Sequence, residues 1–249
     1  MLAALAAGTP WKTIAPGVEV APAVELGADP AWSARVVLVD PQRNEFLVRY
    51  DPDRPTLAEW RGRFPRAVAI VNGSFYSLDG PSGAEVRPTC DVIASGKQVR
   101  GAGCKVRDAL FFAAVPRQPE AAISRPVASP RLLAPQDFKA EQWTEALKSF
   151  PALVRGGVAG CGGTRYCAES SRTAAVATLK DGRVLLFASQ WRAVRKDVAR
   201  WLAEQVGAVD ALNLDGGPEA TLALRGEPLE DAIGGRGVGL PLVLVVVPR

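Results

Sequence analysis

The chain has 249 residues, 48% of them hydrophobic, with 30 Lys and Arg against 26 Asp and Glu and a formal net charge of +4. That is enough to bury the core of one domain. The basic residues are scattered without aromatic interleaving, as on a solvated surface rather than a nucleic-acid face, and no apolar run is long enough to span a bilayer as a helix. Histidine is absent, which excludes His-dependent triads, His-based zinc sites and imidazole proton shuttles; acid–base chemistry falls to Asp, Glu, Lys, Tyr or Cys.

Residues 1–10, Met-Leu-Ala-Ala-Leu-Ala-Ala-Gly-Thr-Pro, are apolar and then small, and read as a signal-peptide remnant; the domain then runs 11–249. Arg35–Val39 and Phe46–Tyr50 flank the turn Asp40-Pro41-Gln42-Arg43-Asn44 and predict a hairpin with a longer loop. A short helix is expected near Leu57–Arg61, then a strand Ala67–Val71. Ser77–Thr89, rich in Gly, Pro and Ser, reads as a long functional loop. Asp91–Ala94 and Ser95–Val99 form a hairpin around Gly96, and Ala109–Val115 is a buried strand. Trp143, Leu147 and Phe150 fall at i, i+4 and i+7 behind Asp137 as a cap, which predicts a helix over 137–149. Ala152–Val154, Thr173–Leu179 and Arg183–Ala188 read as strands, the last two joined through Lys180-Asp181-Gly182. A helix with one apolar face spans about 193–206 and stops at Gly207. Val238–Val247 closes the chain as an apolar strand interrupted by Pro241. Strands dominate and helices do not alternate with them. The fold class is therefore α+β: a single domain with a mixed or antiparallel twisted sheet and a few packed helices.

The four cysteines, Cys90, Cys104, Cys161 and Cys167, lack Cys-x-x-Cys spacing and form two sequence-local pairs. Three disulfide connectivities are possible. Cys90–Cys104 with Cys161–Cys167 is favoured, against the alternative of four buried thiols. With the apolar N-terminus this points to the periplasm or secretion.

Two polar, glycine-bearing loops stand out. Ala211-Leu212-Asn213-Leu214-Asp215-Gly216-Gly217, followed by Thr221–Leu224, reads as strand, tight loop, strand. Far upstream, Ala67–Val71 runs into Asn72-Gly73-Ser74-Phe75-Tyr76. Two such loops at strand ends predict one site assembled from distant parts of the chain. On turn chemistry alone, Asp215-Gly216 is equally a plain hairpin turn.

The pieces Val71–Tyr76, Asp91–Gly96, Ser171–Val176 and Ala211–Gly217, in that order, resemble the phosphodiester glycosidase family. Its best-known member, the lysosomal uncovering enzyme, removes N-acetylglucosamine from a phosphodiester on mannose. The resemblance implies a hydrolase acting on a carbohydrate phosphodiester. Two departures matter. The family's aspartate loop usually continues with a further glycine and then Ser or Thr, whereas this chain has Pro218-Glu219. The family's first loop usually reads Asn-Gly-Gly-Phe-Phe, whereas this chain has Ser74 and Tyr76. The first departure leaves open a catalytically inactive glycan-binding or envelope interaction module on the same fold.

The residues themselves support the hydrolase chemistry. Cleavage at an anomeric carbon passes through an oxocarbenium-like state that a carboxylate stabilises, the role read for Asp215. A phosphate leaving group is a weak base and asks for cationic contact more than protonation; Arg172 suits that, with Thr173 adding a hydroxyl. Glu219, the second carboxylate of the loop, is the candidate base toward water. Asn72 and Asn213 are expected to bind sugar hydroxyls or orient the aspartate, and Gly73, Gly216 and Gly217 to allow close approach of substrate. Glu85 and Arg87 are further substrate-binding candidates, and Phe75 and Tyr76 are candidates for stacking on a sugar. The glycine cluster of 156–163 lacks the Lys-Ser/Thr ending of a phosphate loop and reads as a disulfide-tied surface loop. No cofactor or metal is expected.

Overall fold

The computed structural model describes residues 11–79, 85–104, 106, 108–117, 129–161 and 165–249; residues 1–10, expected as a signal-peptide remnant, and Gly162-Gly163 of the glycine cluster lie outside them. The architecture is α+β, and every strand pairing among the described residues is antiparallel.

An eight-stranded sheet runs in the order Lys12–Ala15, Val18–Pro22, Ala34–Val39, Val184–Ser189, Ala174–Leu179, Ala208–Asn213, Ala152–Arg155 and Val158–Ala159. A four-stranded sheet runs Leu222–Leu224, Ala69–Asn72, Leu242–Pro248 and Asn44–Tyr50, and a five-stranded sheet is built around Leu110–Pro116, Trp143–Ser149 and Val92–Ala94. One apolar cluster joins all three, with Val37, Val176, Leu186 and Leu212 from the first sheet, Val48, Val71 and Leu244 from the second, and Phe112 and Leu147 from the third.

Alternation along the strands sends the other residues outward, because successive side chains point to opposite faces. Leu38, Leu185 and Phe187 leave the central core and pack with Trp201 and Leu202 of the helix Arg195–Glu204. Ile70, Val243 and Val245 likewise pack against Leu57 and Trp60 of the helix Leu57–Arg63. Each helix thus covers the outer face of a sheet. These strands are buried on both sides and read as unbroken apolar runs.

Three expectations are corrected. The span predicted as a helix over 137–149 is a 3-10 turn, Ala140–Gln142, followed by the strand Trp143–Ser149. Its working period is two: Leu147 faces the central core while Trp143 and Ala146 pack on the other cluster across an irregularity in the pairing. The i, i+4, i+7 match was incidental to that. Second, Ala34–Val39 and Asn44–Tyr50 do not pair with each other. The first joins Val18–Pro22 and Val184–Ser189, and the second joins Leu242–Pro248. The turn between them crosses from one sheet to another, held by the Asn44 amide, which donates to the carbonyls of Pro16, Gly17 and Asp40 at 3.1, 3.3 and 3.2 Å. Third, the expected long loop over 77–89 contains a ribbon, Tyr76–Asp79 paired with Glu85–Pro88, with 80–84 outside the described residues. The closing strand begins only after Pro241, which lacks a ladder donor.

The two disulfides are Cys90–Cys104 and Cys161–Cys167. Among the described residues no helix is long and apolar enough to cross a membrane.

Candidate active site

The two polar loops meet. Asp215 donates its backbone N–H to the Gly73 carbonyl at 2.9 Å, and the Asn72 amide donates to the Asp215 carbonyl at 2.8 Å. The Asn72 side-chain oxygen accepts from the backbone of Thr221 at 2.9 Å. One buried amide therefore ties both ends of the Asp215 loop to the end of the Ala69–Asn72 strand. The alternative of a plain Asp-Gly hairpin fails on topology: Ala208–Asn213 belongs to the eight-stranded sheet and Leu222–Leu224 to the four-stranded one. The loop 214–221 crosses between sheets.

Arg172 joins the same corner through a reciprocal contact. Its Nε donates to the Gly217 carbonyl at 2.8 Å, and the Gly217 N–H donates to the Arg172 carbonyl at 2.9 Å. The terminal amino groups of Arg172 make no described hydrogen bond, so the end of the guanidinium remains available to an anion. Gly216 is required where it lies: a Cβ there would sit 2.7 Å from the Arg172 carbonyl oxygen and 3.2 Å from an Arg195 nitrogen. At Gly73 a Cβ would run into the Leu242 side chain. The expected close approach at these glycines is thus made first by the protein's own chain.

Other expected ligands are already engaged. The Thr173 hydroxyl donates to the Ser171 carbonyl at 3.2 Å, and the residue is fully buried. Asn213, also fully buried, donates to the carbonyls of Phe150 and Leu214 and accepts from Arg195. Both residues build the floor of the site. Glu85 and Arg87 are exposed on the Glu85–Pro88 strand and pair with each other at 2.8 Å. Neither has a described contact with the Asp215 loop. Phe75 stacks on Phe150 at 4.8 Å between ring centroids, so it packs inward.

Two arginines escaped sequence reasoning. Arg195, only 5% exposed, donates to the Asn213 side-chain oxygen, the Tyr166 carbonyl, Glu169 and the Ser171 hydroxyl. It opens the helix Arg195–Glu204, where a cation opposes the helix dipole and no side chain caps the end. That misplaced charge was the one legible sign of a special role. Arg54 donates to the Tyr76 hydroxyl at 3.0 Å and lies over the Tyr76 ring, and Tyr76 in turn donates to Glu219 Oε1 at 3.1 Å. Nothing in the sequence near Arg54 announced this.

The electrostatics follow. Burial pushes the Asp215 carboxyl up to about 7 and the negative charge of Glu219 pushes the same way, while the Gly216 N–H (2.8 Å to Oδ1) and the charge of Arg195 pull it back. Tyr76 is raised to about 12, chiefly by burial and then by Glu219, so its hydroxyl stays a donor. Among the described residues, no group of three or more Asp, Glu or Cys lies close enough to hold a metal ion. A half-buried aspartate whose carboxyl is pushed up to about 7, a neighbouring glutamate and an arginine whose terminal amino groups make no described hydrogen bond form an arrangement suited to displacing an anionic leaving group.

The sequence profile of the phosphodiester glycosidase family matches residues 65–246. This chain belongs to the phosphodiester glycosidase family. The matched span holds both polar loops and Arg172. Members of the family are hydrolases. No curated protein sequence matches the chain. Among solved structures, it is similar to the zebrafish N-acetylglucosamine-1-phosphodiester alpha-N-acetylglucosaminidase catalytic domain, auto-inhibited by its pro-peptide. That match has a TM-score of 0.58 at 18% identity and covers 87% of this chain and 77% of that one. A protein from Burkholderia pseudomallei, described as exported, gives a TM-score of 0.61 at 16% identity, covering 86% and 74%. A hypothetical protein from Synechocystis gives 0.57 at 14%, covering 96% and 61%. At these identities the structures share the phosphodiester glycosidase fold, and the substrate is a separate question.

Proposed function

We propose that this phosphodiester glycosidase hydrolyses the bond between the anomeric carbon of a sugar and a phosphodiester oxygen, on a glycan of the envelope or extracellular space. The observation that carries the reading is the meeting of Asn72-Gly73, Asp215-Gly216-Gly217 and Arg172 in one corner, with the Asp215 carboxyl raised to about 7. The ionised Asp215 stabilises the oxocarbenium-like state, and Glu219 accepts a proton from water. The water oxygen bonds to the anomeric carbon. The carbon–oxygen bond to phosphate breaks with its electron pair on the phosphate oxygen, releasing a reducing sugar and a phosphomonoester. The Arg172 amino groups offset the charge on that phosphate. Two disulfides and a relative described as exported support a periplasmic or secreted setting.

Incubation with methyl phosphodiesters of the 1-phosphates of N-acetylglucosamine, glucose and mannose tests the reading, with released reducing sugar as the measurement. Release from at least one is expected, and inertness toward all three together with cleavage of neutral aryl glycosides would sink it. Arg172→Ala should lower kcat/KM on the phosphodiesters by on the order of 100-fold, the scale of a lost charge-assisted hydrogen-bond pair. Equal loss on neutral aryl glycosides would remove Arg172 from the phosphate.

A further inference from the structure

Two of the positions at which this chain leaves its family's pattern, one in each loop, touch each other. Tyr76 stands where the first loop usually carries Phe, and Glu219 where the aspartate loop usually carries Ser or Thr. They lie 143 residues apart, and the Tyr76 hydroxyl donates to Glu219 Oε1 at 3.1 Å. The hydroxyl that Phe would lack meets the carboxylate that Ser would lack.

The pair is anchored from behind. Arg54 donates to the same hydroxyl at 3.0 Å, and its guanidinium lies 5.2 Å from the centre of the Tyr76 ring. With Arg54 supplying a proton to its oxygen, the Tyr76 hydroxyl is left to point its own proton at Glu219. The Arg54 backbone is left-handed, with φ at 54°, and packs closely on Gly239, where a Cβ would strike its carbonyl oxygen at 2.5 Å. Glu219 Oε2 has no described hydrogen bond.

We propose that Arg54, Tyr76 and Glu219 form one working unit, in which Arg54 and Tyr76 are positioning residues that fix Oε1 of Glu219 and leave Oε2 to take the proton from the attacking water beside Asp215. The inference rests on the hydrolase reading and names how its base is held. The proton passes from water to Oε2 as the water oxygen bonds to the anomeric carbon and the phosphate leaves with the bonding pair. The charged groups facing Asp215 are Glu219 on its own loop and Arg195 from the neighbouring helix, with Tyr76 next to Glu219 and Arg172 reaching the loop through Gly217. Holding Glu219 close keeps its negative charge on Asp215, in line with the raised carboxyl of that residue.

The test compares wild type, Tyr76→Phe, Glu219→Gln and the double variant. One arm follows the Asp215 carboxyl carbon by NMR through a pH titration, which needs no substrate. The other measures kcat and KM on the methyl phosphodiester of N-acetylglucosamine 1-phosphate. Glu219→Gln should lower the Asp215 midpoint, because a like charge is gone. Tyr76→Phe should lower it too, because Glu219 is released, and the double variant should match Glu219→Gln alone. Tyr76→Phe should cut kcat by about 5- to 10-fold, the worth of one hydrogen bond, with KM unchanged, and should cost nothing further in the Glu219→Gln background. Effects that add in the double variant, or an Asp215 midpoint unmoved by Tyr76→Phe, overturn the proposal. A wild type inert on all three methyl phosphodiesters but active on neutral aryl glycosides, with the non-additive titration, retires the phosphodiester reading and leaves the structural unit standing.

Discussion

Asp215→Asn removes turnover, by on the order of 1,000-fold or more in kcat, and yields a protein that melts higher than wild type at pH 8. The substitution is nearly isosteric, and an amide oxygen at the Oδ1 position still accepts from the Gly216 N–H. What is lost is the charge that faces the anomeric centre. The gain in stability follows from the sign of the shift. An ordinary aspartate has a pKa of 3.8, and folding raises that of Asp215 to about 7. Below 3.8 the carboxyl is neutral folded and unfolded, so it costs nothing. As pH rises from there, the unfolded chain ionises while the folded one keeps its proton, and stability falls until pH passes about 7. Asn pays none of this, so its advantage should be full at pH 8 and vanish near pH 4. Melting curves at both pH values check it. The same shift sets activity: kcat/KM of the wild type should rise as pH increases through about 7, when Asp215 ionises. A flat profile across that range, or full activity in the variant, would remove Asp215 from the mechanism.

Arg195→Met should destabilise the fold by about 3–5 kcal/mol, the scale for removing one partner of a buried charged network. It strips hydrogen bonds from the Asn213 side-chain oxygen, the Tyr166 carbonyl and the Ser171 hydroxyl, while Glu169 is half-exposed and can turn to water. It also takes away the cation that pulls the Asp215 carboxyl down. The rise of kcat/KM should therefore move to higher pH than in wild type, opposite in direction to the movement expected for Glu219→Gln. Arg195→Lys should recover part of the pH shift and little of the stability, because an ammonium cannot reproduce the planar fork that reaches four partners. Urea unfolding and pH–rate profiles read both effects. An unmoved profile in Arg195→Met would show that Arg195 only supports the fold.

Much of this molecule was legible in its sequence, and the exceptions share a cause. The hairpins around Gly96 and Gly182 lie where local turn chemistry and strand pattern placed them, as do the helices at 57–63 and 195–204. The segment before Ser149 misled because a helical spacing of three apolar residues coincides with a strand whose two faces are both buried. The pairing partners of Ala34–Val39 and Asn44–Tyr50 were invisible because both strands are apolar runs next to each other in the chain, and nothing local says which sheet each joins.

By itself the sequence determined the strand-rich class and favoured the two cysteine pairs that form, because these rest on composition and spacing, and it marked the Asn72 and Asp215 loops as polar corners at strand ends; the chemistry expected of those loops came from the family resemblance. Only the tertiary structure decided which side chains face one another and which are already engaged by the protein's own chain. It turned Asn213 and Thr173 into floor, set Glu85 and Arg87 apart, and brought in Arg195, Arg54 and the Tyr76 hydroxyl. A side chain's role at a site is fixed by burial and by the groups facing it, and those come from elements that are distant in the chain.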